Sequence, residues 1–345
     1  MQVARIIVEK DCLDHPVSRR LRQVALSRSA MAYHEIEPGG SELATLTRGP
    51  SSLGQIKSTL VVTKREGFFI DKSGEGSGNP ACDFDLEFVW GCPHRCAFCQ
   101  QLYFTDRRPF IEIFPDLDTI LEEVQRVVDS CGRTPVVIEA GGMTDLLALE
   151  PYTGILKDMI GFWTARLAGR AQLQFLTKSA EVNSITDLEP GHTVRVGFSV
   201  NLPEFAARYA LGTASLEQQK EAIKRVLRNG FHLHLSFSPL FFREGVTREY
   251  DALVQELRAF LDDCEGFSEK DVTLEALIFF QKRGAARFMW EHFPVLAEEL
   301  MVRCQNSSAA DGGFRYPPEI HGKLALSLKR SFARYFPSAR VCFVA

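Results

Sequence analysis

Six short runs of β-favouring, mostly apolar residues recur along the chain at 86–90, 134–139, 172–177, 193–200, 231–237 and 273–280, with amphipathic helical patterns between them. Parallel strands need a long crossover to join them, so this alternation builds an α/β sheet with helices over its faces. Several runs are apolar nearly throughout, as strands covered on both sides should be. The helices have readable ends. Over 118–130, Ile120, Leu121, Val124, Val127 and Val128 form one stripe, and Gly132 follows as a stop. Ser215-Leu216-Glu217-Gln218 has the form of a capping box and opens a helix that ends at Asn229-Gly230. Residues 71–79 read as loop, 323–335 as a helix and 340–344 as a final strand. The alternation leaves two architectures open, a partial barrel and a doubly wound sheet. Both put reactive groups at the C-terminal strand ends.

The chain has 345 residues, of which 45% are hydrophobic and 24% charged, which excludes a disordered polymer. No 18-residue apolar run is present, so no membrane partner is expected. Glu9 and Asp11 fall where a signal peptide would need its apolar stretch, and a cytoplasmic location is expected. The net charge of −4 argues against nonspecific nucleic-acid binding by the whole surface. The charge is uneven, however. Residues 1–66 hold ten Lys/Arg against seven Asp/Glu, and 315–345 hold six against one. Such basic ends suit a phosphate backbone, although solvated helix faces carry the same charges.

Six of the nine cysteines are scattered: Cys12, Cys82, Cys131, Cys264, Cys304 and Cys342. The other three crowd into Trp90-Gly91-Cys92-Pro93-His94-Arg95-Cys96-Ala97-Phe98-Cys99, a C-x3-C-x2-C spacing directly after the first strand. Three thiolates on one tight loop can hold three irons of a [4Fe–4S] cluster and leave the fourth iron open to a small molecule. A structural zinc site is the plainer alternative, with His94 as fourth ligand. It lacks the second C-x2-C pair that such sites usually carry, and His94 lies awkwardly inside the same loop.

The cysteine spacing, with the aromatic Phe98 before the last thiol, resembles the radical S-adenosylmethionine (SAM) superfamily. There SAM chelates the open iron, and its reductive cleavage gives a 5′-deoxyadenosyl radical. Later strand ends offer matching positions. Ala140-Gly141-Gly142 corresponds to the glycine pair that touches the SAM amino group. Lys178 could face the SAM carboxylate; Ser199 and Asn201 share one strand face, and Ser236 and Ser238 follow on the next strand. Each has a bland reading too, as an ordinary turn or a surface polar residue.

Taken in order, these pieces resemble the spore photoproduct lyase family, over nearly the whole chain. The likeness includes Asp14-His15-Pro16, residues 58–62, Gly91-Cys92 through Cys99, Ile138-Glu139-Ala140, the F-x-T-K of 175–178, 198–201, Gly212-Thr213 and Tyr335-Phe336-Pro337. The resemblance implies a partial (β/α)6 radical SAM barrel over 85–285. An N-terminal extension over 1–84 would pack on it, and C-terminal helix and strand elements over 286–345 would face substrate or DNA. It implies a [4Fe–4S] cluster on Cys92, Cys96 and Cys99, with SAM held by Phe98, Ala140, Gly141, Gly142, Lys178, Ser199, Asn201 and Ser236. It also implies an electron donor such as flavodoxin or ferredoxin. The reaction would be C–C bond cleavage in 5-thyminyl-5,6-dihydrothymine, a thymine dimer in DNA, with Arg315, Tyr316 and Lys323 toward the DNA.

The chain departs from the family at one decisive place. A cysteine that donates hydrogen belongs at the end of the second strand, where this sequence has Gly142 followed by Met143. The family's cluster-loop tyrosines are matched by Phe98 and Gln100, with Tyr103 the nearest phenol. Cys131 precedes the same strand and falls at the far end of the barrel; Cys304 and Cys342 lie in segments the sequence does not place. His232 and His234 share a strand face and read as satisfied core histidines. Two alternatives therefore stay open: a radical SAM enzyme acting on a different nucleotide, peptide or metabolite, and an inactive iron–sulfur nucleic-acid-binding homologue.

Overall fold

A computed structural model describes residues 3–47, 52–72, 81–101, 108–306 and 312–344. The chain opens with β1 (Arg5–Glu9), which pairs in parallel with β2 (Ala32–Ile36) and β3 (Thr59–Val62). β4 (Ile70–Lys72) leaves this sheet and joins a larger one, antiparallel to β5 (Phe84–Leu86). β6 (Val89–Trp90) returns to the first sheet. β7 (Arg95–Cys96) lies in the cysteine loop, and β8 (Ile111–Ile113) pairs with both β3 and β6.

The larger sheet then grows by β9 (Val136–Ala140), β10 (Ala171–Thr177), β11 (Val194–Val200), β13 (His232–Leu240) and β14 (Val272–Ile278), all parallel. The short β12 (Ala210–Leu211) is antiparallel to β7. β15 (Phe280–Gln281), β16 (Gln305–Asn306) and β17 (Phe314–Arg315) form a small antiparallel sheet, and β18 (Arg340–Val344) closes the edge beside β14 in parallel. Six parallel strands, β5-β9-β10-β11-β13-β14, thus form the curled half-barrel, flanked by β4 and β18. A single main hydrophobic core runs through both sheets, from Ile6 and Leu60 to Leu328 and Phe332.

Several local expectations change. The run 86–90 is not one strand: Leu86 ends β5, and Val89 starts β6 in the other sheet. Its middle is diverted at Glu87, whose N–H donates to Phe69 O at 2.8 Å and whose carbonyl accepts from Arg65 Nη1 at 2.9 Å. The helix at 117–130 is capped by Asp116 and ends on an extended Cys131, not on a left-handed Gly132. Asp71 and Lys72, expected in loop, belong to β4, and residues 73–80 lie outside the described residues. The final helix begins five residues early, at Pro318, which suits the first helical position.

The strands are also less apolar than their composition suggests. Buried Gln174, His234, Ser236 and Glu275 lie on β10, β13 and β14. They find polar partners: Gln174 Nε2 donates to Glu139 at 2.7 Å, Arg195 Nη1 to Gln174 at 3.1 Å, and Ser236 Oγ to Glu275 at 2.5 Å. His234 Nδ1 meets Thr273 Oγ1 at 2.7 Å, and His232 meets Gln172 at 3.0 Å. Alternate residues of a strand share a face, so one polar face interrupts strands that otherwise read as core.

Candidate active site

The cysteine loop begins at Gly91, whose φ of +91° is left-handed and whose absent Cβ would meet Phe110 O at 3.1 Å. Only glycine takes that turn without strain. Cys96 is pinned by the β7–β12 pairing, and the next N–H, of Ala97, donates to Tyr209 O at 2.8 Å. Cys99 N–H donates back to Cys96 O at 3.1 Å. All three thiols line one cavity of about 200 Å³ at the C-terminal ends of the strands. Their sulfurs do not form a group lying within 4.8 Å of one another. One tetrahedral zinc with bonds of about 2.3 Å would need its sulfurs roughly 3.8 Å apart. Three soft thiolates on one cavity wall suit an iron–sulfur cluster, which takes one cysteine per iron.

His94 is committed elsewhere. Its Nδ1 lies 2.9 Å from Gly212 O and its Nε2 2.9 Å from Asp145 Oδ2. Both ring nitrogens are engaged in this way, which leaves neither for a metal. Asp145 is the hub of the loop. It accepts from Ala148 N at 3.0 Å as the cap of the helix Leu146–Thr153, from Thr177 Oγ1 at 2.8 Å and from Lys178 N at 2.7 Å. Burial works to raise its pKa, yet the bonds from His94, Lys178 and Thr177 hold it below the ordinary carboxylate value. No sequence motif pointed to Asp145; its N-cap position was the available signal.

Other strand ends converge on the same cavity. Gly141, at φ +79°, has Leu146 Cγ 2.7 Å from its Cβ position. Gly142 also lines the wall, and Ala140 is buried just before the pair. Lys178 Nζ stands 6.0 Å from the Phe98 ring centre, and both residues line the cavity together with Ser199 and Ser238. Ser236 does not reach it: it is fully buried one step down β13 and bonded to Glu275. Asn201 lines a small neighbouring hollow, and its side chain is occupied, donating to Pro239 O at 2.6 Å and accepting from Leu202 N and Tyr250 OH. Thr144, Thr177, Glu139 and Gln101 line the cavity as well; Glu139 and Thr177 belong to motifs that carried the resemblance, whereas Thr144 and Gln101 had no sequence signal of their own.

Burial pushes the Cys96 thiol up to about 12 and the Cys92 thiol higher still. Beyond the cluster loop, no other described cysteine lines this cavity. Cys82 and Cys131 share a separate cavity with Val136, at the opposite end of the strands. Cys304 packs against the Leu300 carbonyl, and Cys342 is part-buried in β18. Tyr103 lies outside the described residues.

The three candidate DNA residues separate. Arg315 is exposed on β17 with its guanidinium 5.0 Å from the Phe280 ring centre, and Lys323 is exposed with its Nζ 5.5 Å from that of Phe242. Tyr316 is buried, its hydroxyl accepting from Phe242 N at 3.1 Å, so it anchors the segment from beneath. Gln100 joins this segment to the cluster loop, donating to Phe280 O at 2.7 Å and accepting from Lys282 N at 3.0 Å.

Together the half-barrel and the three-thiol loop at its mouth define a protein of the radical SAM class. The family model for spore photoproduct lyase matches residues 3–345, and the chain belongs to that family. It is 25% identical over 346 residues to the spore photoproduct lyase of Geobacillus sp. (strain Y412MC61), covering 97% of this chain and 96% of that protein. It is 27% identical over 267 residues to that of Clostridium acetobutylicum, covering 76% and 75%. A solved cysteine-to-serine variant of spore photoproduct lyase superposes with a TM-score of 0.86 at 24% identity, over 99% of this chain and 98% of that one. A double variant with bound AdoMet and dinucleoside spore photoproduct superposes with 0.85 at 22% identity, over the same shares.

Proposed function

We propose that this chain is a radical SAM enzyme of the spore photoproduct lyase type, acting on spore photoproduct, 5-thyminyl-5,6-dihydrothymine, in DNA. The observation that carries the reading is the convergence of Cys92, Cys96 and Cys99 with Gly141, Lys178 and Ser199 on one cavity at the strand ends. The three thiolates would hold a [4Fe–4S] cluster, which supplies the electron that splits SAM. Lys178 offers a cation for the SAM carboxylate, Gly141 a bare backbone for close approach, and Phe98 an apolar wall. Asp145 and His94 hold the loop in shape by linking it to β10 and to Gly212. In this reading residues 286–345 face the substrate, with Arg315 and Lys323 toward phosphate groups, and a flavodoxin- or ferredoxin-like protein delivers the electron.

The final hydrogen atom does not come from a thiol at the end of β9, because Gly142 stands there. A radical SAM enzyme on the same scaffold with another substrate is the second reading, and the Gly142 position favours it. Anaerobic turnover of the reconstituted protein with SAM, dithionite and an oligonucleotide carrying the lesion separates the two. Restored thymine together with 5′-deoxyadenosine, both followed by mass spectrometry, is expected. Deoxyadenosine without thymine would retire the lesion and keep the radical enzyme. Neither product, with DNA binding retained, would favour an inactive homologue.

A further inference from the structure

Next to the cluster cavity lies a second one of about 480 Å³, and Gln101 and Met143 line both. Its size falls within the range of small-ligand sites. Three cations line it: Lys57 from the N-terminal extension, Arg65 after β3, and Arg108 before β8. Lys57 is only 5% exposed, and no described residue gives its ammonium a hydrogen bond or an ion pair. That ammonium is therefore free to meet an anion in the cavity.

The two guanidiniums are prearranged. Arg65 lies 4.7 Å and Arg108 4.2 Å from the Trp90 ring centre, and Arg65 Nη1 is tied to Glu87 O at 2.9 Å. Each keeps several of its five N–H donors for a planar or tetrahedral anion. Arg108 has its basicity lowered by burial and by the neighbouring Arg65 charge, although it also pairs with Glu112. Two acids share the cavity, Asp71 and Glu87, and Glu87 is held neutral near pH 7 because burial pushes it up to about 8. The balance is positive. The one anionic group of SAM is its carboxylate, which Lys178 serves in the reading above, so these three cations are left for another anion.

We propose that this second cavity is a phosphate-binding subsite beside the cluster, in which Lys57, Arg65 and Arg108 take one phosphodiester of the strand that enters the mouth. The assignment rests on the nucleic-acid reading above, and its test is binding, measured without SAM or reductant. Fluorescence anisotropy with a labelled lesion-bearing oligonucleotide would compare the full chain with Lys57→Gln, Arg65→Gln and Arg65→Lys, after far-UV circular dichroism shows each folded.

The glutamine variants are expected to bind about tenfold more weakly. They should lose about 0.7 to 0.9 from the salt slope per contact removed. Arg65→Lys should recover part of the loss. Dinucleoside spore photoproduct, which has no phosphate, should bind all four proteins alike. Thymidine 5′-monophosphate competing as tightly as the oligonucleotide would keep the subsite and assign it to a free nucleotide. Unchanged affinity and salt slope in folded Lys57→Gln and Arg65→Gln would overturn it. Loss of lesion turnover with the affinity differences intact would retire the lyase reading alone.

Discussion

The Glu87 carboxyl oxygen Oε1 stands 2.7 Å from the point where residue 142 would place a Cβ, so the acid occupies the space that a side chain there would need. Glu87 Oε2 accepts from Met143 N at 3.2 Å, which holds the carboxyl against the end of β9. Glycine at 142 and glutamate at 87 are therefore a matched pair brought together from β9 and from the link between β5 and β6. A thiol at 142 has no room unless the acid moves.

Restoring the family cysteine should consequently fail in the single variant. Gly142→Cys and Gly142→Ala are each expected to destabilise the protein by about 1–3 kcal/mol, the usual penalty of overpacking together with a displaced hydrogen bond. In a Glu87→Ala background the same substitutions should lose most of that penalty, a coupling of roughly 0.5–3 kcal/mol in a double-mutant cycle. Chemical denaturation of the four proteins measures it, and additivity within error would show that the pair is independent.

Stability should fall as pH rises through the neutral range. Glu87 is raised to about 8 and Glu150 to about 7, both chiefly by burial, from an unfolded value near 4.5. Between pH 4.5 and those values the folded chain binds more protons than the unfolded one, so the slope of unfolding free energy with pH is negative. Glu87→Gln should flatten that slope from about pH 5 to pH 8 and change it little below pH 4, where the acid is protonated in both states. Melting temperatures of the metal-free protein across that range would show it; a slope unaltered by the substitution would disprove the assignment.

Asp145 should prove more important to structure than its lack of contact chemistry suggests. Replacing it with alanine removes a helix cap and leaves the buried His94 Nε2 without its partner, a loss of about 2–4 kcal/mol. Asp145 is held below its ordinary pKa, so its contribution is present above about pH 4 and disappears as pH falls through the lower folded value. Acid titration of Asp145→Asn against wild type, followed by tryptophan fluorescence, tests both points: the variant should lose the acid transition that wild type shows.

Iron loading should release protons and improve with pH. The Cys92 and Cys96 thiols are raised by burial, so both are protonated at pH 7 before metal binds, and each ligand must give up its proton. Anaerobic reconstitution is expected to be more complete at pH 9 than at pH 7. Cys96→Ala should lose the full [4Fe–4S] complement at either value, as read by iron and sulfide analysis and by absorbance near 400 nm. A Cys96→Ala protein with four irons per chain would show that the ligand set lies elsewhere.

What the sequence determined by itself was local or periodic. The β–α alternation carries the half-barrel, because hydrophobic spacing decides which segments become strands and which become crossover helices. The C-x3-C-x2-C loop carries its own chemistry, because three ligands within eight residues meet whatever the rest of the chain does. The capping box at Ser215–Gln218 forms as read, with bonds of 3.3 and 2.9 Å. What only the tertiary structure decided was every relationship between distant segments. Strand-face alternation shows that Ser236 and Ser238 share an orientation, but not that one is sealed against Glu275 and the other open to the cavity. Tyr316 reads as a surface aromatic until Phe242 and Phe279 pack around it. Glu87 sits in an apolar run, and nothing nearby in sequence shows that the chain changes sheets there and delivers its carboxyl to Gly142. Such meetings depend on how separate elements pack, and no window of sequence contains both partners.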